Sequence, residues 1–565
     1  MNLNFHKIKL YVFIIKHLRF SQLFYRAYYI IKRKFQKHIR VDSNYDCQFI
    51  KPIVLSSNDI KHYRADYNKL LRNEFTFLNR TIDFEDKIDW NDPVLNQGTR
   101  LWKMNLNYHE YLIDIALLYQ VNKEEKYITY IENHIKEWLN RNPFGTPGYY
   151  KDNWNAYSIS LRLISWIKIY SLVGSEFSKS FKQEIQVSIG NQLSYLKFNL
   201  DYDIRGNHLI ENGFTLLFCA FFYDNKKLFN KSYKLLLNEV KEQILSDGAH
   251  FELSPMYHQI ILYRLLDAIN LLQNNQRFQG QDQLLDIFKG KAVMMLQWLN
   301  AITFKSGEIP LFNDASPEIA PTTNQLNQYA VDLRVLTKES LNDLQENPQK
   351  FSQSGYRCFK NAVYECVVDI GQIGPSYQPG HAHADTFNFL LNAYNEPLIV
   401  DTGISTYDPG ETRLYERGTV AHNTVTVCDK NSSEVWSSFR VGRRARVNII
   451  EDNKESIIAE HDGYHQLGTT HKRKWQFFER QISISDFLIG KNVVGNAYLH
   501  IAPYCMVEKQ NSSIKIGKIE FFFENADNIE ILSTNIPNGY NQFQENKTIK
   551  ISFNKNLKTI INILL

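Results

Sequence analysis

The hydrophobic periodicity of the sequence changes near residue 351, and this change limits the chain to two kinds of domain. Through residues 59–336, apolar side chains recur at steps of three and four, the pattern of amphipathic helices. From about residue 350 onward, short β-branched or aromatic segments are bounded by turn residues, the pattern of antiparallel strands. We therefore predict an α+β chain with a helical domain first and an antiparallel β domain after it.

The helical periodicity is clear in residues 153–173. Ile159, Leu163 and Trp166 fall on one helical face there, and Gly174 follows as a stop signal. Medium-length helices joined by polar loops favour a domain of stacked helix pairs. In the β half, the predicted strands are residues 362–370, 386–393, 397–400, 422–427, 475–484, 519–523 and 548–553.

Length and composition agree with a folded multidomain protein. A chain of 565 residues exceeds what one hydrophobic core supports, and 44% hydrophobic with 22% charged residues is ordinary for a folded chain. We divide it into a basic N-terminal arm (residues 1–45), a helical domain (46–340) and a β domain (350–565). The six cysteines are scattered without a C-x-x-C pair, so neither a disulfide framework nor a thiolate zinc site is expected.

The arm concentrates positive charge. Residues 1–40 contain ten Lys and Arg residues and no Asp or Glu, whereas the net charge of the whole chain is only +5, so we expect no nucleic-acid partner. The apolar run of residues 10–15 is too short to span a bilayer, and no small-residue cleavage site follows it. Two interpretations stay open, an amphipathic segment on an anionic membrane and an arm that is solvated or packed as a helix on the body. Localisation (envelope, periplasm, cytoplasm or a membrane face) and oligomeric state are open as well.

Residues 378–427 bring several metal-binding residue types together. His381 and His383 are two residues apart and would share one face of a strand. Asp401 ends an apolar run, and His422 opens an alternating segment. Imidazoles and a carboxylate on neighbouring strands suit a divalent transition metal such as zinc. The alternative is that these histidines only satisfy hydrogen bonds at strand ends.

Two stretches of the helical half are dense in chemically reactive residues. RGNHLIENG, residues 205–213, places Asn207, His208 and Glu211 on the first turns of a helix. DGAHFELSPMYH, residues 247–258, holds His250, Glu252, Tyr257 and His258. Each residue has a plainer explanation: Asn207 as a helix cap, Glu211 at a positive helix N-terminus, and Ser254-Pro255 as a helix start.

Taken in order, these motifs resemble the heparinase II/III family of polysaccharide lyases. The resemblance rests on R-G-N-H-L-x-E-N-G, D-G-x-x-x-E-x-S-P-x-Y-H, H-A-H-A-D, V-D-T-G and A-H-N-T-V, and on W-N-x-x-x-I-S-x-R from Trp154 to Arg162. It implies an incomplete α/α toroid followed by an antiparallel β-sandwich. This fold agrees with the periodicity of the two halves.

The resemblance also implies a chemistry, β-elimination at a uronic acid in an acidic polysaccharide. Asn207 and His208 match the residues that offset the carboxylate charge, and Tyr257 matches the tyrosine that protonates the leaving O4 oxygen. For one substrate stereochemistry the tyrosine also acts as base. His381 resembles a histidine base, and Glu211 resembles a carboxylate that orients His208. His258, Arg162 and Trp154 are implied to bind the substrate or tune the site.

The resemblance further implies a structural metal ion, zinc or calcium, held by His383, Asp401 and His422. In an alternative role, His422 faces the cleft and acts on the substrate. Similar proteins work in surface-polysaccharide biosynthesis as well as in degradation. The residues do not identify the uronic acid, the linkage or an endo or exo mode of cleavage.

Two other functions compete with the lyase. A toroid glycoside hydrolase would use paired carboxylates, with Glu211, Asp247 and Glu252 as candidates. This alternative leaves the Asn-His and Tyr-His clusters unexplained. A non-catalytic protein that binds or assembles polysaccharide is the third interpretation. The products separate the three, because only elimination creates a conjugated double bond that absorbs ultraviolet light.

Overall fold

The structure is a computed structural model. It describes residues 5–35, 47–48, 50–51, 67–85, 87–90, 99–146, 149–346, 353–510 and 513–564. The end of the predicted arm (36–45) and the predicted periodicity change near residue 351 lie outside these residues. Among the described residues, helices dominate the first part of the chain and the strands of a large sheet follow, as predicted.

The described helices include those of the arm, those of the helical domain and one short helix in the β domain. They are α1 (Phe5–His17), α2 (Phe20–Phe35), α3 (Tyr67–Leu70), α4 (Arg100–Tyr108), α5 (Tyr111–Asn122), α6 (Glu125–Arg141), α7 (Ala156–Val173), α8 (Lys179–Leu196), α9 (Gly206–Phe222), α10 (Lys226–Gln243), α11 (Pro255–Asn274), α12 (Gln281–Ile302), α13 (Thr323–Asp332), α14 (Lys338–Glu346) and α15 (Glu411–Glu416).

Helix α7 lies at the centre of the helical domain, and local sequence sets its ends. The side chain of Asn155 caps it by accepting a hydrogen bond from the backbone N–H of Ser158 at 2.9 Å, and Gly174 follows its last residue. The helix is buried along almost its whole length and packs against α5 and α9. The helix predicted within residues 153–173 is therefore confirmed.

The strands of the β domain are all paired antiparallel, and nearly all of them join one large sheet. The described strands are β1 (Glu74–Phe77), β2 (Arg80–Asp83), β3 (Tyr356–Lys360), β4 (Tyr364–Asp369), β5 (Phe389–Ala393), β6 (Glu396–Ile399), β7 (Val425–Val427), β8 (Val435–Trp436), β9 (Arg440–Val441), β10 (Val447–Asp452), β11 (Ser456–His461), β12 (Thr469–Phe477), β13 (Gln481–Gly490), β14 (Val494–Ile501), β15 (Glu508–Lys509), β16 (Ser513–Ile516), β17 (Ile519–Pro537) and β18 (Phe543–Ile563).

Strand β18 is the point at which the large sheet divides. Its residues 547–554 pair with β14, and its residues 556–562 pair with β13. From β14 the sheet continues through β6, β5 and β4 to β3, and from β13 it continues through β12 and β11 to β10. One hydrophobic core contains side chains from both branches, including Trp475, Phe521 and Ile551. This packing is that of a β-sandwich.

The two domains meet through a small apolar cluster of their own. Trp298 of α12 stacks on Tyr356 of β3 with ring centroids 5.6 Å apart, and Phe312, Val367 and Leu390 belong to the same cluster. This cluster fixes the edge of the β-sandwich against the last long helices of the helical domain.

The arm helices pack on the body of the protein and touch both domains. In α2, the Tyr29 hydroxyl donates a hydrogen bond to the carbonyl of Leu200 in the helical domain. In α1, the Tyr11 ring contacts Trp436 of the β domain with centroids 5.3 Å apart. These contacts support the packed-helix interpretation for α1 and α2. None of the helices that the structure describes is long and apolar enough to cross a membrane.

Two predictions of secondary structure were wrong in detail. The predicted helical domain contains a β-hairpin, β1–β2, whose two antiparallel strands are joined by a turn at Leu78 and Asn79. The strand predicted over residues 475–484 is instead the end of β12, a turn, and the start of β13. In both cases a short turn separates two segments that look continuous over a longer window.

Gly355 offers a test of how tightly β3 is packed. Its φ is +82°, and a Cβ there would overlap the backbone of Gly371. Gly355→Ala should therefore lower the melting temperature, since residues forced into such conformations cost about 1–3 kcal/mol before any clash is counted. Gly517→Ala is the control, because φ is +56° there but no heavy atom lies within 4 Å of the added carbon. If calorimetry finds the same loss of melting temperature for both variants, the close approach of Gly355 to the backbone of Gly371 has no role in stability.

Candidate functional site

Asn207 is held in a fixed orientation by Glu252. It is the second residue of α9, and its Nδ2 donates to the two carboxylate oxygens of Glu252 at 3.1 and 2.9 Å. Its backbone N–H donates to the same carboxylate at 3.1 Å. Gly206 makes this possible, because a Cβ there would overlap the Glu252 carboxylate. The helix cap is Arg205 rather than Asn207, so the capping explanation for Asn207 is wrong.

His381 lies in the loop between β4 and β5, not in a strand as predicted. Its Nδ1 is 2.9 Å from Oδ2 of Asp314, and its Nε2 is 3.3 Å from Nδ2 of Asn207. A proton on Nδ1 donates to the carboxylate, which leaves the lone pair of Nε2 to accept from the Asn207 amide. This tautomer is the one that a general base requires.

Asp314 is the centre of a buried charged cluster. Arg413 donates to its two oxygens at 2.6 and 2.7 Å, and His383 Nε2 lies 2.8 Å from Oδ1. Burial alone would raise the pKa of Asp314, but the Arg413 guanidinium and the hydrogen bonds from His381 and His383 outweigh it. Together they hold the pKa of Asp314 well below its ordinary value. The carboxylate is therefore ionised and orients both histidines.

Tyr257 brings a phenol next to His381. It lies in the first turn of α11, where the hydroxyl of the cap residue Ser254 accepts from its backbone N–H at 3.3 Å. Its ring packs on the His381 imidazole with centroids 3.9 Å apart, and its hydroxyl is 3.1 Å from the hydroxyl of Tyr407. Burial raises the pKa of Tyr257 well above its ordinary value, so the phenol stays protonated at neutral pH.

His208 lies beside this group of three rather than within it. Its ring packs on Tyr157 with centroids 4.3 Å apart, and its Nδ1 is 3.6 Å from a carboxylate oxygen of Asp201. The side chain is partly exposed. The structure thus brings Asn207, Tyr257 and His381 into contact and places His208 next to them.

A cavity of about 450 Å³ opens beside Tyr257 and extends into the helical domain. Aromatic rings form much of its wall: Tyr108, Tyr111, Tyr157, Tyr257, Tyr263, Tyr407 and Tyr540. The hairpin β1–β2 closes part of it through Thr76, Phe77 and Leu78. Two cations, Lys168 and Arg264, also lie on the wall. A concave site with aromatic walls and a few polar groups is the usual form of a ligand site.

The resemblance implied that Glu211 orients His208, but the structure places its side chain elsewhere. It is buried, and its Oε1 lies 2.7 Å from Nε of Arg264 on the neighbouring helix α11. The carboxylate near His208 is Asp201 instead. The i, i+3 spacing placed Glu211 near His208 along α9, but the helix turns its side chain into the interior.

The three residues implied to bind substrate lie in the core instead. His258 is fully buried between the N–H of His250 and the carbonyl of Met295, and burial lowers its pKa to about 3. Arg162 is also fully buried, and its guanidinium donates to Gln192 and to two backbone carbonyls. Trp154 is buried with its indole N–H on the carbonyl of Asn142. Burial leaves these three residues almost no surface for direct contact with a substrate, and a tuning role for them stays a prediction.

The predicted metal residues lie together below the cleft. His422 Nδ1 is 2.9 Å from Oδ2 of Asp401, and the rings of His383 and His422 have centroids 5.3 Å apart. All three side chains are fully buried or nearly so. His422 therefore does not face the cleft, which excludes the alternative in which it acts on substrate. His422 and His383 lie in loops, while Asp401 follows β6 as predicted.

The donor atoms of this group partly fit a metal ion. His383 Nδ1, His422 Nε2 and Asp385 Oδ2 are buried and have no hydrogen-bond partner, which is uncommon for buried polar atoms. Imidazole nitrogens and a carboxylate oxygen are a donor set that suits zinc. Across the described residues, however, no three His, Cys, Asp or Glu side chains come close enough together to hold an ion. The residue types fit, and the metal itself stays a prediction.

Sequence reasoning missed two residues that complete the site. Asp314 follows the apolar pair Leu311-Phe312 in a loop of the helical half, and Tyr407 lies in a loop of the β half. A buried polar pair, Asn313-Asp314, directly after apolar residues was the only local signal for the first. Tyr407 carries no local signal, because its contact with Tyr257 spans 150 positions of sequence.

Two family models match the chain. The model "Heparinase II/III N-terminus" matches residues 16–335, and the model "Heparinase II/III-like, C-terminal" matches residues 344–564. The chain belongs to the heparinase II/III family. The resemblance stated from the motifs is therefore confirmed.

Individual relatives and one solved structure show how far the similarity extends. A heparin-sulfate lyase of Bacteroides thetaiotaomicron is 23% identical over 476 residues, which cover 77% of this chain and 65% of the relative. A heparin-sulfate lyase of Pedobacter heparinus is 23% identical over 509 residues, covering 84% and 73%. The crystal structure of heparinase III superposes with a TM-score of 0.72 at 19% identity, covering 96% of this chain and 91% of that chain. The toroid followed by a β-sandwich is thereby confirmed.

Asp314→Asn should destabilise the protein in a pH-dependent way. The substitution leaves Arg413 buried without its counter-charge, and breaking a buried pair costs about 3–5 kcal/mol. Because the folded pKa of Asp314 is depressed, its stabilisation is present above the unfolded value near ~3.9 and is lost as pH falls below it. The melting temperatures of wild type and variant should therefore differ most at neutral pH and converge in acid.

Asp452→Asn is the matched control for Asp314→Asn. Asp452 also pairs with an arginine of the β domain, Arg357 at 2.8 Å, but its side chain is 20% exposed where that of Asp314 is 0% exposed. Solvent should make its loss much smaller. A loss from Asp314→Asn that equals this control, or that does not change with pH, would show that Asp314 is not the charged centre described here.

Proposed function

We propose that this heparinase II/III protein is a polysaccharide lyase, a carbon–oxygen lyase that cleaves an acidic, uronic-acid-containing polysaccharide by β-elimination. The observation that carries the proposal is the contact of Asn207, Tyr257 and His381, which come from three distant segments and meet beside an aromatic-walled cavity. The named activity of the heparin-sulfate lyases to which the chain is similar supports the same reaction class.

The reaction needs a base for the proton on C5 of the uronate. His381 fits this role, because the hydrogen bond from Nδ1 to Asp314 keeps Nε2 unprotonated. The Nε2 lone pair, which accepts from the Asn207 amide in this structure, can take the C5 proton once substrate is bound. As the C5–H bond breaks, its electrons form the C4–C5 double bond and the C4–O4 bond is cleaved. The proton ends on Nε2, where the nearby carboxylate of Asp314 stabilises the imidazolium through Nδ1.

The leaving oxygen needs an acid. Tyr257 fits this role, because burial keeps its phenol protonated and its ring lies against His381. The base and the acid are thus side by side, which suits a reaction that removes and returns a proton on the same side of the sugar ring. Tyr407 contacts the Tyr257 hydroxyl and can accept or donate as the phenol changes its charge.

The carboxylate of the uronate must be neutralised as negative charge develops on it. Asn207 can turn to the uronate carboxylate the amide N–H that points to His381 in this structure, since Glu252 fixes the amide. A donor that is fixed before the reaction costs no reorganisation in the transition state. His208, partly exposed beside Asn207, is the second candidate donor.

The glycoside hydrolase alternative loses support from the positions of its carboxylates. Glu211 pairs with Arg264, Glu252 accepts from Asn207, and Asp247 accepts from the backbone of Ser354 at 2.7 Å. For a non-catalytic binding protein, the fixed base tautomer at His381 would have no use.

Tyr257→Phe should lower turnover by about 10²-fold or more on a uronate polysaccharide that the wild-type protein cleaves. This is the usual contribution of a general acid. Substrate binding should change little, because the lost proton matters only in the transition state. The measurement is the ultraviolet absorbance of the unsaturated product, with melting temperature taken on the same preparations. Asn207→Ala should also depress turnover by removing the donor to the carboxylate.

Tyr223→Phe is the control for Tyr257→Phe. Tyr223 is a buried tyrosine of the same domain, remote from the cavity, and its hydroxyl donates to the carbonyl of Gln186 at 2.8 Å. It should lose some stability and keep full turnover per folded molecule. If Tyr257→Phe behaves the same way, the catalytic role of Tyr257 is wrong. New reducing ends without ultraviolet absorbance would instead identify a hydrolase.

We further propose that His383, Asp401 and His422 hold one divalent metal ion, zinc or calcium, in a structural role. The support is the buried, unpartnered nitrogen on each histidine. When bound, such an ion would fix the loops that carry His383 and His422 and add positive charge behind the cleft.

Metal content tests this second proposal independently of activity. The purified protein should carry about one divalent ion per chain by elemental analysis, and a chelator should lower its melting temperature. His422→Ala should lose the ion, while His465→Ala, at an exposed position of the β domain, should keep it. Metal-free protein with an unchanged melting temperature would reject the site.

A further inference from the structure

Helix α2 carries its apolar side chains on the face turned away from the protein. Phe20, Phe24, Ile31 and Phe35 are 82%, 55%, 59% and 79% exposed. Their spacing of four, seven and four residues places them on one side of a helix. An amphipathic helix on a soluble protein normally buries this side. Here the orientation is reversed.

The opposite side of α2 explains how the helix is held. Gln22 and Tyr29 are buried there, and the Tyr29 hydroxyl donates to the carbonyl of Leu200. Lys32 donates to the carbonyl of Phe198 at 2.6 Å. Just before the helix, Arg19 forms an ion pair with Glu242. Polar contacts therefore fasten the helix to the body, and its apolar face is left outward.

Helix α1 also exposes apolar side chains. Ile8, Val12 and Ile15 follow the i, i+4, i+7 spacing of one helical face and are 43%, 59% and 54% exposed, while Tyr11 beside them is 43% exposed and also contacts Trp436. Leu10, between them in sequence, is buried near Gly442 of the β domain. We call these exposed apolar residues of α1 and α2, with the exposed cations among them, the arm face.

The charged side chains of α1 and α2 themselves are all positive. Residues 1–40 contain ten Lys and Arg residues and no acidic residue. Lys16, Arg26 and Lys34 are exposed on the two helices. Exposed Phe, Tyr and Ile side chains flanked by Lys and Arg are the composition of helices that lie in a membrane interface. A cluster of cations also attracts anionic lipid headgroups.

We propose that the arm face docks the protein onto the surface of an anionic lipid bilayer, with α1 and α2 lying in the plane of the interface. A second copy of the chain fits less well, because a symmetric contact through this face would bring cations against cations. Anionic headgroups supply the missing counter-charge, and acyl chains cover the apolar side chains. The inference stands apart from the proposed lyase function, since it involves none of the site residues.

Vesicle flotation of the full-length protein tests the proposal without any substrate. Vesicles of phosphatidylcholine alone are compared with vesicles of equal parts phosphatidylcholine and phosphatidylglycerol, at low and high salt. We expect binding to the anionic vesicles and weaker binding at high salt. The double variant Phe24→Glu with Ile31→Glu should lower that binding at least about tenfold, because it removes two apolar side chains from the lipid and adds two negative charges next to anionic headgroups.

The control carries the same charge change at other exposed apolar positions. Val121→Glu with Val187→Glu alters two helices of the helical domain whose side chains are 67% and 54% exposed. This variant should bind vesicles nearly as the wild type does, and the melting temperatures of both variants confirm that they are folded. Hydrogen exchange of residues 20–35 should slow on anionic vesicles and stay unchanged on neutral ones.

Three results would overturn the proposal. The full-length protein stays in solution with anionic vesicles at low salt. The arm variant binds as tightly as the control variant. Or light scattering finds a dimer that the arm variant alone dissociates, in which case a second copy covers the arm face.

Discussion

Asp314 belongs to the helical half of the chain, but the side chains that neutralise it come from the β half. Arg413, His381 and His383 all reach it there, and its carboxylate has no exposed surface. An ion taken out of water costs several kcal/mol unless its partners are in place. Burying Asp314 is therefore favourable only after the two domains have come together. The base tautomer of His381 depends on the same event, so the site forms where and when the domains dock.

The apolar cluster of Trp298, Tyr356 and Leu390 also joins the two domains, through hydrophobic contact rather than through charge. Hydrophobic contact is not directional, and alone it would permit small shifts between the domains. The four hydrogen bonds made to the Asp314 carboxylate have fixed geometry and remove that freedom. The arm adds a third connection, since α2 contacts the helical domain and α1 contacts the β domain.

Much of the fold could be predicted because periodicity and caps are local properties. The starts of α7 and α11 lie at local signals, Asn155 and Ser254 with its following proline, each read within a few residues. The site was harder to predict. A motif gives residue types and spacing, but it does not tell which side of a helix faces the cleft. This is why Glu211 was assigned to His208, while the helix turns it toward Arg264.

Motifs could not predict contacts between residues that lie far apart in the sequence and meet only in the folded chain. His381 and His383 were placed on a strand because their spacing of two fits one. They share a partner instead because their loop wraps around Asp314, nearly seventy residues earlier in the chain. Arg162, Trp154 and His258 show the opposite error. Their side chains carry donors and rings that suit a sugar. In the structure, however, these donors make hydrogen bonds to backbone carbonyls inside the helical domain.

The cavity wall has a consequence for which sugars can occupy it. Its two cations, Lys168 and Arg264, already contact the carboxylates of Asp267 and Glu211. A sulfate ester placed there would meet no unpaired cation among the described lining residues, and it would lose its hydration without gaining a counter-charge. Tyrosine rings and hydroxyls accept an uncharged sugar without that penalty.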